Sequence, residues 1–182
     1  NGGAWNPIER PGDSLYVASV VAVRPKTGEI VWHYQFTPGD PLDFDAINEN
    51  ILADIPVNGK MRKVLIHADK NAFLYVLDRA TGELLAANEF ARQNWAERID
   101  LKTGRPVFTD LLKRMLAGEE VEFWPGPRGG KNWVPAAYNA NTGLLYMNIA
   151  NHPRIFKFAP IGEYKPGERY TGVQTTVPPR RP

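Results

Sequence analysis

One phrase recurs four times along the chain, and no other feature restricts its fold as much: VAVRPKTGEIVW (Val21 to Trp32), YVLDRATGELLA (Tyr75 to Ala86), RIDLKTGRPV (Arg98 to Val107) and AAYNANTGLLYM (Ala136 to Met147). Each copy is a strand-like run, a turn closed by Thr-Gly at 27–28, 81–82, 103–104 or 142–143, and a second strand-like run. Glycine at that point supplies the φ > 0 residue that a short bulged hairpin loop needs. Hairpins repeated at irregular spacing predict a repeat architecture with insertions. Trp32, on the second strand of the first copy, predicts a ring docked on a neighbouring repeat, where it would bury roughly 150–250 Å².

Composition agrees with short strands and many turns. The 182 residues include 16 Gly, 16 Pro and five Trp, and 43% are hydrophobic, which favours an all-β fold over a helical bundle. With 22 Lys+Arg against 20 Asp+Glu the formal charge is +2, too weak a field for a nucleic-acid binder. Zero cysteines exclude a disulfide framework or a Cys-ligated zinc or iron–sulfur site within these residues. No apolar run approaches the roughly 20 residues that span a bilayer, so no transmembrane segment is expected. The opening, NGGAWNPIERPGD, lacks both an initiator Met and the pattern of a signal peptide, and reads as the start of an internal piece of a longer protein.

Between the repeats, RKVLIHAD (Arg62 to Asp69) and AFLYVLD (Ala72 to Asp78) should pair as a hairpin. Phe108 to Gly118 is the one segment with helical spacing, from Leu111, Leu112, Met115 and Leu116, and it should decorate a loop. The Pro-rich end from residue 161 to 182 should be extended and poorly packed, outside a unit of residues 1–160. The hairpins would make three to four blades of four-stranded antiparallel sheet. An array that short leaves edges open, so the expectation is part of a larger β-propeller.

Chemistry concentrates in three places. In TPGDPLDFDAINEN, Asp43 and Asp45 stand at i and i+2 beside Asp40, a pattern that either brings carboxylates onto one hard cation or forms a solvated turn. In HADKNAF, Lys70 sits at a tight turn, as a surface charge or as a donor to an oxygen-rich ligand. In GGKNWVP, Gly129 and Gly130 allow a close backbone approach, while Asn132 and Trp133 offer an amide and a flat ring. His33, His67 and His152 are too dispersed for a zinc triad, and His67 reads as a structural histidine. Neither of the two serines, Ser14 and Ser19, lies in a nucleophile elbow, and no glycine-rich phosphate loop is present.

Taken in order, NGGAWNPIERPGD, WHYQFTPGDPLDFDAINEN, VLIHADKNAFLYVLDR, NWAERIDLKTGRPV and GGKNWVPAAYNANTGLLY closely resemble the quinoprotein alcohol dehydrogenases that use pyrroloquinoline quinone (PQQ). The resemblance runs from residue 1 to about residue 160. It implies an eight-bladed propeller of which this chain is a part, and an enzyme oxidising a small primary alcohol to its aldehyde in the periplasm, with cytochrome c as electron acceptor. It also implies roles. Asn1, heading N-x-x-x-W-N, resembles a metal-ligating asparagine, and Asp43, in P-x-D-x-x-D-F, resembles the catalytic base and faces the same metal. Lys70 would hydrogen-bond the reactive quinone oxygen, and Asn132 and Trp133 would contact PQQ.

Asp45 resembles the extra aspartate of the lanthanide-dependent branch, with calcium as the alternative metal; a trivalent ion retains more anionic oxygen ligands than a divalent one. The resemblance places a metal-binding glutamate, an adjacent-cysteine disulfide and a tryptophan under PQQ upstream of Asn1, so these 182 residues by themselves should be inactive. A homodimer is left open. A PQQ-dependent sugar or polyol dehydrogenase and a non-catalytic propeller scaffold share parts of the pattern, but the scaffold type would lack the set formed by Asp43, Asp45, Lys70 and Asn132.

Overall fold

The computed structural model describes residues 3–168 and 170–179. Its strands are all antiparallel and follow the expected hairpins. The Thr-Gly turns join β1 (Ser19–Val23) to β2 (Ile30–Gln35), β5 (Phe73–Asp78) to β6 (Leu84–Glu89), β7 (Ala96–Asp100) to β8 (Arg105–Phe108), and β10 (Ala137–Asn139) to β11 (Leu144–Tyr146). At all four the glycine has positive φ, +74°, +78°, +71° and +68° in chain order. The expected apolar hairpin is β4 (Lys60–Ala68) with β5, and β3 (Asn50–Val57) flanks it to give the sheet order β3-β4-β5-β6.

This is the one four-stranded sheet among the described residues; β1-β2, β7-β8 and β10-β11 are two-stranded. The expectation of four strands in every blade is therefore met in full once within this stretch. Helix α1 (Asp110–Leu116) forms where helical spacing placed it, with Met115 buried against β9 (Val121–Phe123) and β12 (Arg154–Phe158). The terminal segment departs from its expected loose packing. Val173–Thr176 forms β13 and pairs with β12, because Val173 has an apolar site to fill and is 6% exposed.

Aromatic side chains tie the hairpins together. The Trp32 ring lies over Gly82 of the next Thr-Gly turn, with its Nε1 donating to the Arg79 carbonyl at 3.3 Å. Tyr34, two residues on, donates its hydroxyl to the Gly104 carbonyl at 2.7 Å, so one strand docks on two different turns. The main core collects Phe36, Phe44, Tyr75, Trp95, Phe123 and Phe156.

The docking makes Gly82 more demanding than its sister turns. A Cβ there would stand 2.8 Å from the Trp32 ring as well as at φ +78°, whereas at Gly59, with φ +75°, nothing lies within 4 Å. Gly82→Ala should thus cost about 2–3 kcal/mol and Gly59→Ala about 1 kcal/mol, a difference readable in the unfolding midpoints.

A candidate carboxylate and lysine centre

Residues 40–49 lead into β3 with alternating burial. Leu42 and Phe44 are 2% and 0% exposed, and Phe44 packs its ring 5.6 Å from that of Trp95. Anchoring the alternate residues in the core leaves Asp43 and Asp45 only partly covered, on the opposite side. Asp40 sets the bend, its two carboxylate oxygens accepting the backbone N–H groups of Phe44 at 2.9 Å and Asp45 at 3.0 Å. Burial pushes the Asp40 carboxyl up to about 6 against those two hydrogen bonds. Asp43, Asp45 and Ala46 adopt left-handed φ of 70°, 61° and 55°. For residues with a Cβ this is strain, of the kind that concentrates at functional sites.

The second segment is the turn between β4 and β5, and it is built on Asp69 and Asn71. Asp69 Oδ1 accepts the Asn71 N–H at 2.8 Å, and Asn71 Oδ1 accepts the Phe73 N–H at 3.0 Å. Asn71 Nδ2 reaches Tyr75 Oη and Thr37 Oγ1, and the Asn71 carbonyl accepts from Trp95 Nε1 at 2.8 Å. His67, stacked on Phe36, has one ring nitrogen 3.1 Å from Asp69 Oδ2 and the other 2.9 Å from Asn50 Oδ1. It is the satisfied structural histidine that its strand position suggests.

Between Asp69 and Asn71, the Lys70 side chain turns inward, is almost fully buried, and donates to Asp45 Oδ2 at 2.5 Å. Of the two readings open for Lys70, surface charge is excluded. Asp43 completes the group. Burial pushes its carboxyl up to about 7; the Lys70 ammonium opposes the rise, while Asp45, which shares a side-chain hydrogen bond with it, and Asp40 add to it. Two adjacent carboxylates and one ammonium can move a proton and present hard oxygen ligands to a cation.

The third segment, GGKNWVP, closes on this turn. The Gly130 N–H donates to the Lys70 carbonyl at 2.8 Å, and a Cβ on Gly129 would stand 2.8 Å from Lys70 Cα. The close approach expected of the two glycines is thus to the chain's own lysine turn and to Ala72 and Ala91.

Asp43, Asp45 and Lys70 therefore come together. Asn132 and Trp133 ride on the adjoining loop, but the Asn132 side chain is engaged locally, donating to the Arg128 carbonyl and accepting from the Trp133 N–H, and Trp133 is 72% exposed. Asn1 lies outside the described residues. Asp40 and Glu49 stand in the acidic run and Asn71 at the Lys70 turn, but sequence reasoning gave none of the three a role, and it passed over Asp69 and Lys131. Asp40, Asp69 and Asn71 hold the two segments in place.

The order of these three segments along the chain can be compared with known proteins. The family model for the PQQ glucose/ethanol/alcohol dehydrogenase β-propeller domain matches residues 5–91, which include Asp43, Asp45 and Lys70. The quinohemoprotein alcohol dehydrogenase ADH IIB of Pseudomonas putida is 44% identical over 160 residues, covering 86% of this chain and 23% of its own length. This chain is a homologue of the quinoprotein alcohol dehydrogenases, matched over part of their PQQ β-propeller. The quinohemoprotein alcohol dehydrogenase of Comamonas testosteroni, as a solved structure, matches all of the chain with a TM-score of 0.89 at 36% identity and 28% of its own length. A europium-containing methanol dehydrogenase matches 96% of it with a TM-score of 0.86 at 37% identity, over 30% of that chain. The chain thus spans about a quarter of the length of the quinoprotein dehydrogenases it matches.

Two tests of fit follow from the structure. The carboxylate oxygens of Asp43 and Asp45, two residues apart and joined by a side-chain hydrogen bond, suit a hard cation. No group of three or more His, Cys, Asp or Glu that could hold a metal occurs among the described residues, so a cation seeking roughly six to eight oxygens would draw the remainder from elsewhere. Lys70, buried and with its ammonium at the same place, suits a carbonyl or carboxylate oxygen of a quinone.

Proposed function

We propose that this chain forms part of a PQQ-dependent alcohol dehydrogenase that oxidises a small primary alcohol to its aldehyde. The observation that carries the reading is the meeting of Asp43, Asp45 and the buried Lys70 at one point, from segments 25 residues apart. When bound, PQQ supplies the two-electron acceptor and the metal ion a Lewis acid. Asp43 is the group that takes the alcohol's hydroxyl proton, and the burial that raises its carboxyl towards neutrality is what makes it a usable base. Lys70 donates a hydrogen bond to oxygen where negative charge develops; a preformed ammonium in a site with little water does this without reorganising. Electrons would pass on to a cytochrome c, and a periplasmic location fits the same family reading.

Asp45 would be a metal ligand, and a lanthanide the preferred ion. Its carboxylate faces the cluster rather than solvent, which is the orientation a ligand needs, and the similarity to a europium-containing methanol dehydrogenase supports the choice of ion. Dye-linked alcohol oxidation by the chain in its full reading frame, reconstituted with PQQ and either lanthanum or calcium, tests both parts. Activity with lanthanum is expected, with metal affinity roughly tenfold to a hundredfold weaker in Asp45→Ala. Turnover with calcium alone and a harmless Asp45→Ala would assign the enzyme to the calcium branch, and no turnover with either metal would favour a non-catalytic propeller.

A further inference from the structure

Lys131 is fully buried, with 0% of its surface exposed. Its Nζ donates to Glu49 Oε2 at 2.9 Å, to the Asn132 carbonyl at 3.1 Å and to the Val134 carbonyl at 2.9 Å. An ammonium has three donors and no acceptor, so this set satisfies it completely in its charged form. Glu49 uses its other oxygen as well, Oε1 accepting the Ala136 N–H at 2.7 Å. Burial acts to raise the Glu49 carboxyl, but the hydrogen bonds from Lys131 and Ala136 outweigh it and hold the group below its ordinary value. The run from Lys131 to Ala136, which includes Asn132 and Trp133, is thus wrapped around one ion pair.

The pair does more than close its own loop. Glu49 lies four residues beyond Asp45 on the same segment. The Gly130 N–H holds the Lys70 carbonyl, and the Lys70 ammonium holds Asp45. Three segments are therefore joined in a closed ring: Glu49 takes Lys131 Nζ and the Ala136 N–H from the loop, Gly130 holds the Lys70 carbonyl, and Lys70 holds Asp45. The Glu49 side of the ring touches none of the reacting groups, and its ion pair with Lys131 is the charged part of that closure.

We propose that Lys131 and Glu49 are positioning residues for the carboxylate and lysine centre, fixing the loop at 129–136 and through it the Lys70 turn against Asp45. The inference rests on the functional reading above. Loss of the pair should weaken uptake of PQQ more than it weakens the fold. A pair that only stabilised the propeller would do the reverse.

The test is equilibrium dialysis with PQQ at fixed excess lanthanum or calcium, on the chain in its full reading frame, well below the unfolding midpoint of every variant. Lys131→Met removes the ammonium and keeps an apolar stem; Glu49→Gln is the milder cut and carries the test if Lys131→Met does not fold. Met115→Ala, beneath helix α1, serves as a destabilised control away from the ring. The PQQ dissociation constant should rise roughly tenfold to a hundredfold in Lys131→Met, less in Glu49→Gln, and not in Met115→Ala. The double variant should be no worse than Lys131→Met, because both substitutions cut the same tie. An unchanged dissociation constant beside a lowered unfolding midpoint, or the same rise in Met115→Ala, would overturn the inference and leave the functional reading standing. A wild-type chain that takes up no PQQ would overturn both.

Discussion

Asp43→Asn should lower kcat by roughly 10²- to 10⁴-fold, the range lost with a general base, while leaving the metal-free protein folded. The structure separates these two effects. Asp43 and Asp45 are joined by a side-chain hydrogen bond, and burial raises the Asp43 carboxyl to about 7, so near neutral pH Asp43 carries a proton for part of the time. An asparagine amide donates to Asp45 in the same position and has nearly the same shape. The Asp45–Lys70 pair and the Asp40 bend are left in place. On the proposed function, what disappears is the ability to accept a proton from the alcohol. The unfolding midpoint of the metal-free variant should match the wild type or exceed it, since a partly buried ionisable group has been exchanged for a neutral one. Retention of most of kcat in the reconstituted variant would remove Asp43 from its role as base.

The largest loss of stability from a single side chain should come from Asn71→Ala, at about 3–5 kcal/mol. Asn71 is fully buried, donates to Tyr75 Oη and Thr37 Oγ1, and accepts from the Phe73 N–H. Alanine strands the Phe73 amide, deprives both hydroxyls of a partner and leaves a polar void among aromatic rings. Each buried donor left unmet costs about 1–3 kcal/mol, and these groups are too tightly packed to reach water. Denaturant unfolding should show the midpoint falling at an unchanged m-value. A loss below 1 kcal/mol would mean that the turn repacks around the smaller side chain.

What could be read in the sequence was local and periodic. A Thr-Gly turn announces itself because only glycine takes its backbone without strain, and all four lie where the repeats placed them. Helix α1 was marked by the spacing of its own leucines, and the β4–β5 hairpin by two apolar runs. Asp43, Asp45 and Lys70 were legible because a resemblance over five ordered blocks pointed to them; spacing alone left each with an open alternative. The tie between Lys131 and Glu49 was not legible, since it joins residues 82 positions apart and nothing in spacing links GGKNWVP to TPGDPLDFDAINEN. Strand β13 was missed for a similar reason: its partner is reached through tertiary packing, while its own residues lie in a Pro-rich stretch that reads as loop.

The left-handed backbone at Asp43, Asp45 and Ala46 also bears on how such a chain would decay. Each position costs roughly 1 kcal/mol or more that glycine would largely recover. A lineage that kept the propeller but lost the chemistry would gain stability by relaxing this segment first, while the Thr-Gly turns, already at ease, would offer nothing to recover. Erosion confined to residues 40–46 in an otherwise intact repeat array would then be the mark of a propeller that has given up catalysis.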